Sequence, residues 1–196
     1  EYLGSGPWVD AITARDVLRH STGLPDWRKD PAHERLEPAV APGTRIDYSG
    51  EAFVWLQRVV ETITGESLDA SMQRLLFGPA GMGDSSYGWN RELAERSVHG
   101  HGLPGKADMP PQMLREQWQA AQPMADRWGK PLSDWRYADA ERALPQVQAE
   151  SPPGLVQWAG DIFANAAASL RCTVLDYARF MAVMVHTRAA DWELRP

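Results

Sequence analysis

Two stretches decide the fold of this chain: TARDVLRHSTGLP at residues 13–25 and PGTRIDYSG at residues 42–50. In the first, Thr13 is a good helix N-cap, and Asp16 follows three residues later, at the spacing of a capping box. This start predicts a helix, which Gly23 ends by adopting a left-handed conformation. The second stretch begins with a Pro-Gly turn and then alternates polar and apolar residues, which favours a short extended segment.

Beyond the second stretch, apolar residues recur at the helical period of 3.6. They predict a helix over residues 51–64, which Gly65 stops, and a further helix capped by Ser67. The predicted core face of the first of these helices consists of Ala52, Phe53, Leu56, Val59, Val60 and Ile63. Near the end of the chain, Thr173 caps another predicted helix. Its predicted apolar face consists of Tyr177, Phe180, Met181 and Met184.

The middle of the chain, residues 90–160, is rich in Pro, Gly, Gln and Trp. One helix is predicted there, over residues 111–122, and the remainder is predicted to be long ordered loop. Four of the nine tryptophans fall in this region: Trp118, Trp128, Trp135 and Trp158. Two interpretations stay open, because such residues line an aromatic pocket or simply pack beneath a long loop.

Composition excludes several functional classes. A chain of 196 residues is long enough for one domain, or for one domain plus a small extension. A net charge of −6 argues against a nucleic-acid partner, since phosphate binding requires clustered Lys and Arg. No run of 18 apolar residues occurs, so no membrane span is predicted. Cys172 is the only cysteine, which excludes an intramolecular disulfide.

No metal or cofactor is predicted. The pair His99 and His101 has metal-ligating side chains, but no cluster of Asp, Glu or Cys completes a site, and a His-Gly loop is the favoured interpretation. Nucleotide-binding and metalloprotease motifs are not found in the sequence.

The two opening stretches resemble the pattern ITxRhLLxHtSGLP…PGTxFxYSN of class C β-lactamases, family VIII esterases and related peptidases. Residues 53–82 resemble the next block of that family, and NAAASLRCTVLDYARF at residues 165–180 resembles a third. The resemblance implies an α+β fold of the β-lactamase/transpeptidase type. This chain is expected to supply mostly the helical portion of it, with long loops and little strand.

The resemblance also implies a mechanism, acyl transfer through the serine of a Ser-x-x-Lys motif. In the family a tyrosine that begins Tyr-x-Asn acts in proton transfer, and Tyr48 matches it, which implies that Tyr48 is a general base. An ordinary phenol has a pKa of about 10, so the role requires a nearby positive charge. The alternative for Tyr48 is a buried core tyrosine with a hydrogen-bonded hydroxyl.

The sequence departs from the family pattern at several points. It contains neither Ser-x-x-Lys nor a Lys-Thr-Gly or His-Thr-Gly box. Residues 1–196 are therefore expected to be a single partial domain, incomplete and inactive by itself. Gly50 replaces the asparagine of Tyr-x-Asn, a substrate-binding position. Because glycine has no side-chain amide with which to bind the substrate, a small-molecule ester is favoured over an amide or β-lactam substrate.

A second hypothesis is a non-catalytic binding or assembly module of the same fold. An apolar face left uncovered would favour self-association of such a module. The residues do not indicate a compartment, and the resemblance alone implies a periplasmic or secreted protein.

Overall fold

A computed structural model describes residues 3–30, 33–88, 91–98 and 111–186. Within these ranges the helices are α1 (Ala14–Leu18), α2 (Gly50–Thr64), α3 (Leu68–Met72), α4 (Arg91–Arg96), α5 (Pro111–Trp128), α6 (Tyr137–Glu150) and α7 (Val174–His186). The same ranges contain no strand, only two isolated β-bridges, one between Leu3 and Leu36 and one between Ser86 and Arg171. The chain is thus mostly helix and loop, as expected. The α+β class of the complete fold stays an expectation.

Helix α1 begins as predicted but ends early. The N–H of Asp16 donates to Oγ1 of Thr13 at 3.3 Å, and the N–H of Thr13 donates to Oδ2 of Asp16 at 3.0 Å. These hydrogen bonds form the expected capping box. The Thr13 hydroxyl and the Thr13 N–H both donate to the Asp16 carboxylate and lower the pKa of that carboxyl. The helix stops at Leu18, and the left-handed residue that follows is His20, with φ of 53°.

The prediction that Gly23 ends α1 is therefore wrong. Gly23 does have a positive φ of 75°, but it lies in the loop beyond the helix. A Cβ atom there would lie 2.5 Å from the carbonyl oxygen of Val40. Glycine is required at this position because two loops approach each other closely.

Helix α2 begins one residue earlier than predicted, after Ser49 as its N-cap, and ends as predicted, with Gly65 in the left-handed conformation. The predicted core face is only partly correct. Ala52 is buried, whereas Val60 and Ile63 are exposed, Ile63 by 79%. Polar residues of this helix are buried instead, namely Glu51, Gln57 and Glu61.

The main core lies in the middle of the chain, where most of the sequence was predicted to be loop. Helix α6 was missed, because Pro145 inside it is typical of a helix break. Helix α5 is longer than predicted and also contains a proline. These two helices pack with α2 around Trp135, which is fully buried and whose Nε1–H donates to the carbonyl oxygen of Lys130.

Helix α7 begins after Thr173 as predicted, and the N–H of Asp176 donates to Oγ1 of Thr173 at 3.2 Å. Its apolar face is exposed. Five of its large apolar side chains share one stripe in contact with solvent: Val174, Tyr177, Met181, Met184 and Val185. Across the described helices, none combines the length and hydropathy that crossing a membrane requires.

Candidate active site

Tyr48 lies at the edge of an open depression of about 450 Å³, immediately before α2. The depression is also lined by residues 23–26 and by Glu37, Arg45 and Asp47, with the Arg45 guanidinium paired to Asp47. The side chain of Tyr48 is 61% exposed, so the alternative of a buried core tyrosine does not describe it. Tyr137, by contrast, is a buried tyrosine, and burial raises its pKa to about 12.

The chain on either side of Tyr48 is fixed by hydrogen bonds to the loop that follows α1. The hydroxyl of Ser49 donates to the carbonyl oxygen of Pro25 at 2.7 Å and accepts from the N–H of Ala52. The N–H of Gly50 donates to Oδ1 of Asp26 at 3.1 Å. The first turn of α2 and this loop therefore form one rigid corner that carries the Tyr48 phenol outward.

Gly50 is buried beneath the indole of Trp27. A Cβ atom at residue 50 would lie 2.4 Å from Cζ2 of Trp27. Trp27 also packs edge-on against Trp158, with ring centroids 5.4 Å apart. The space that an asparagine side chain would enter is thus filled by an aromatic ring. Sequence reasoning did not find Trp27, although a glycine at the start of a helix indicates a close approach of this kind.

Replacing Gly50 by alanine is expected to lower the free energy of unfolding by about 1–3 kcal/mol, because the new methyl group displaces the Trp27 ring. This packing cost is partly offset by the gain of roughly 1 kcal/mol that alanine gives a helix over glycine, so the net loss of stability is smaller by that amount. Urea unfolding of this chain measures it. Gly83→Ala is the matched control, since a Cβ there meets nothing within 4 Å. A Gly50→Ala variant that is more stable than the original chain by the full helix gain of roughly 1 kcal/mol would contradict the packing described.

A buried ion pair closes the same corner. Nε of Arg28 lies 2.8 Å from Oε1 of Glu51, and Nη2 of Arg28 donates to Oε2 at 3.2 Å. The two side chains are 5% and 2% exposed. This bidentate pair joins the loop after α1 to the first turn of α2. Glu51 was read from the sequence only as the start of a helix.

The third block of the chain is joined to α2 by Gln57. Its Nε2 donates to the carbonyl oxygen of Ala164 at 2.8 Å, and its Oε1 accepts from the N–H of Ala166 at 2.8 Å. Nε2 also donates to Glu61, whose pKa is raised by burial. A second link runs through the buried Asp176, which accepts from the hydroxyl of Ser85. The three blocks noted in the sequence therefore meet in one body.

The tryptophans divide between the two interpretations left open by the sequence. Trp118 and Trp158 line a cavity of about 300 Å³. Trp128 and Trp135 instead pack against each other in the core, with ring centroids 5.2 Å apart.

Neither of the lysines that the structure describes, Lys29 and Lys130, lines the depression beside Tyr48. Nζ of Lys130 donates to Oδ2 of Asp139, and Lys29 lies in the 26–30 loop, where its backbone N–H donates to Glu34. The histidine pair at positions 99 and 101 lies outside the described residues. Over the described part of the chain, no three His, Cys, Asp or Glu side chains are grouped as metal ligands would be.

The comparison with known families settles the relationship. The family model described as Beta-lactamase matches residues 1–195. The chain belongs to the beta-lactamase family.

Individual relatives agree with this assignment. The unguisins hydrolase of Aspergillus campestris is 27% identical over 134 residues, which covers 56% of this chain and 25% of that protein. Two crystal structures of the D-amino acid amidase from Ochrobactrum anthropi SV3, complexed with L-phenylalanine amide and with D-phenylalanine, superpose with TM-scores of 0.51 and 0.52. They are 15% and 17% identical, and the superpositions cover 92% of this chain and 45% and 46% of theirs.

These relatives are hydrolases, and the β-lactamase/transpeptidase-like fold is shared. The chain spans only a quarter of the curated relative and less than half of the amidase. Family membership alone therefore leaves the activity of the whole protein, its substrate and the roles of Tyr48 and Gly50 as proposals.

Proposed function

We propose that this chain is part of a serine hydrolase of the beta-lactamase family, which cleaves a small-molecule ester or amide with Tyr48 as general base. The observation that carries the proposal is the exposed Tyr48 phenol, held on a rigid corner at the edge of an open depression. A general base has to reach the proton that it abstracts, and an exposed phenol on a fixed backbone meets this requirement. No Ser-x-x-Lys motif, which would supply the nucleophile, occurs in these 196 residues.

The pair of Gly50 and Trp27 bears on the substrate class. Residue 50 has no side chain, and the indole of Trp27 lies over it. This corner therefore has an aromatic edge where the family pattern has a side-chain amide. An aromatic edge favours an ester, or an amide with an apolar acyl group, over substrates that need a hydrogen bond there. The names of the relatives, an unguisins hydrolase and a D-amino acid amidase, leave an amide as the alternative substrate to an ester.

Charge bears on the substrate as well. Three carboxylates, those of Asp26, Glu37 and Asp47, line the depression beside Tyr48, against one guanidinium, that of Arg45. We infer that a neutral or cationic substrate is favoured over an anionic one, because like charges repel. A β-lactam that carries a carboxylate is therefore disfavoured for two reasons: the repulsion by these carboxylates and the absence of a side-chain amide at residue 50.

The test is made on the complete protein. A fluorophosphonate probe is expected to label it, and a p-nitrophenyl ester is expected to be hydrolysed faster than the p-nitroanilide of the same acyl group. Nitrocefin, which carries a carboxylate, is expected to be the poorest of the three substrates. The 196-residue chain is the matched control, since it has no Ser-x-x-Lys and should not be labelled.

The assay also separates the second hypothesis, a non-catalytic binding or assembly module. The exposed apolar stripe of α7 is the observation that favours it, because such stripes mark interaction surfaces. A complete protein that is neither labelled nor active on any of the three chromogenic substrates would support the module and contradict the hydrolase.

A further inference from the structure

The segment that carries Tyr48 is held by His20 through both of the backbone amides next to the tyrosine. The N–H of Asp47 donates to the carbonyl oxygen of His20 at 2.8 Å. The N–H of Ser49 donates to Nδ1 of the His20 ring at 3.3 Å. Since the residues before and after Tyr48 are both bound by His20, the backbone of Tyr48 is fixed relative to that residue.

The His20 ring also contacts the tyrosine itself. The two rings stack with centroids 4.6 Å apart and an interplanar angle of 26°. The ring of Phe53 also packs near the imidazole, with its centroid 5.1 Å from that of His20. The backbone amide that the His20 ring accepts from lies 29 positions along the chain.

The hydrogen bond from Ser49 defines how the imidazole is used. A backbone N–H is always a donor, so Nδ1 of His20 serves as an unprotonated acceptor and the ring proton lies on Nε2. Few side chains combine an acceptor at this distance from the backbone with a flat ring that stacks on a phenol. Phenylalanine retains only the ring, and asparagine retains only the acceptor.

The backbone of His20 has the conformation that this arrangement requires. Its φ of 53° places it in the left-handed region, which residues with a side chain adopt infrequently. Here the chain reverses after α1, and both the carbonyl oxygen and the ring of His20 contact residues 47–49. An unusual conformation kept beside a candidate catalytic residue is an indication of function.

We infer that His20 is a positioning residue for Tyr48, which sets the direction of the phenol by bonding both neighbouring amides and stacking on the ring. Among the residues that the structure describes, none forms a hydrogen bond with the Tyr48 hydroxyl. The position of the phenol oxygen therefore depends on the ring stack and on the backbone, and His20 supplies contacts to both. The catalytic consequence of this inference rests on the proposed function, whereas its geometry does not.

Three variants of this chain separate the two kinds of contact. His20→Phe keeps a stacking ring, His20→Asn keeps an acceptor and tolerates the left-handed conformation, and His20→Ala keeps neither. The readouts are the hydrogen-exchange rate of the Ser49 amide and the ring-current shift of the Tyr48 side-chain protons in NMR spectra. The Tyr48 signals are assigned by their loss in Tyr48→Phe. His33→Ala is the matched control, since that histidine is exposed and bonds only to Asp30 among the described side chains.

In His20→Ala we expect the Ser49 amide to exchange about tenfold faster, the factor that corresponds to one net hydrogen bond. The Tyr48 ring protons are expected to move toward the positions of free tyrosine. His20→Asn should restore the exchange rate alone, and His20→Phe should restore the ring shift alone. Amides of α5 and α6, measured in the same spectra, report whether a variant has unfolded; if His20→Ala unfolds, the other two variants decide.

The inference is overturned if both signals are the same in His20→Ala and in the original chain. In the complete protein, His20→Ala is expected to lower kcat at least tenfold with KM changed less than twofold, because a misdirected base affects the chemical step. If Tyr48→Phe has no effect on kcat, the proposed function fails. The spectra of this chain still decide whether His20 positions Tyr48.

Discussion

Replacing Glu51 by alanine is expected to lower the free energy of unfolding by about 3–5 kcal/mol, the usual cost of removing one partner of a buried ion pair. The variant deprives the Arg28 guanidinium, whose side chain is 5% exposed in the original chain, of both carboxylate oxygens. Urea unfolding, followed by circular dichroism at several protein concentrations, measures the change. Most domains have only about 5–15 kcal/mol in total, so the variant is expected to be close to unfolded.

Two further variants define what the loss means. If the cost arises from a buried guanidinium without its carboxylate, then Glu51→Leu combined with Arg28→Met should recover most of the stability. The matched control is Glu66→Ala, which breaks an exposed pair with Arg74 and should have a much smaller effect. A loss in Glu51→Ala no larger than that in Glu66→Ala would contradict the burial of the Arg28–Glu51 pair.

Features that depend on neighbouring residues in the sequence could be predicted. The capping box of Thr13 and Asp16, the bounds of α2 and the start of α7 all follow from residues within a few positions of one another. Local hydrogen bonds and left-handed glycines decide these features, and both are visible in the residue types. Tyr48 was singled out in the same way, because its neighbours match a family pattern, and its role stays a prediction.

Features that depend on distant contacts could not be predicted. Helical periodicity assigned Ile63 to the core and did not include Gln57, but the Gln57 amide bonds the backbone of residues 164 and 166, more than 100 positions away. A buried polar group is stable only with such partners, and a pattern of apolar residues does not reveal them. His20 was missed as the end of α1 because Gly23 was a better local candidate.

The candidate site also combines a feature that neighbouring residues indicate with a contact that only the fold brings about. The sequence singled out Gly50 because it replaces the asparagine of the family pattern, but it did not reveal the Trp27 indole that occupies the space. The interval between Trp27 and Gly50 carries no periodic signal, since a loop of irregular backbone joins them. Only the folded corner brings the ring onto the glycine.

Replacing Tyr48 by phenylalanine is expected to lower kcat of the complete protein by about 10²–10⁴, the range for removal of a general acid–base group. KM is expected to change little, because the variant removes only an oxygen that acts in the transition state. Folding should be nearly unaffected, within about 0.5 kcal/mol, since the Tyr48 side chain is largely exposed and its hydroxyl bonds to none of the described residues.

Tyr177→Phe is the matched control, because Tyr177 is a tyrosine of similar exposure on α7 that does not line the depression beside Tyr48. Turnover of the p-nitrophenyl ester is compared for the original protein and both variants, with unfolding curves measured on the same samples. Unchanged turnover in Tyr48→Phe would remove Tyr48 from the mechanism. An equal loss in Tyr177→Phe would show that the assay reports a general effect of removing a surface hydroxyl. A loss confined to Tyr48→Phe, at unchanged stability, is the result that assigns proton transfer to the exposed phenol beside His20.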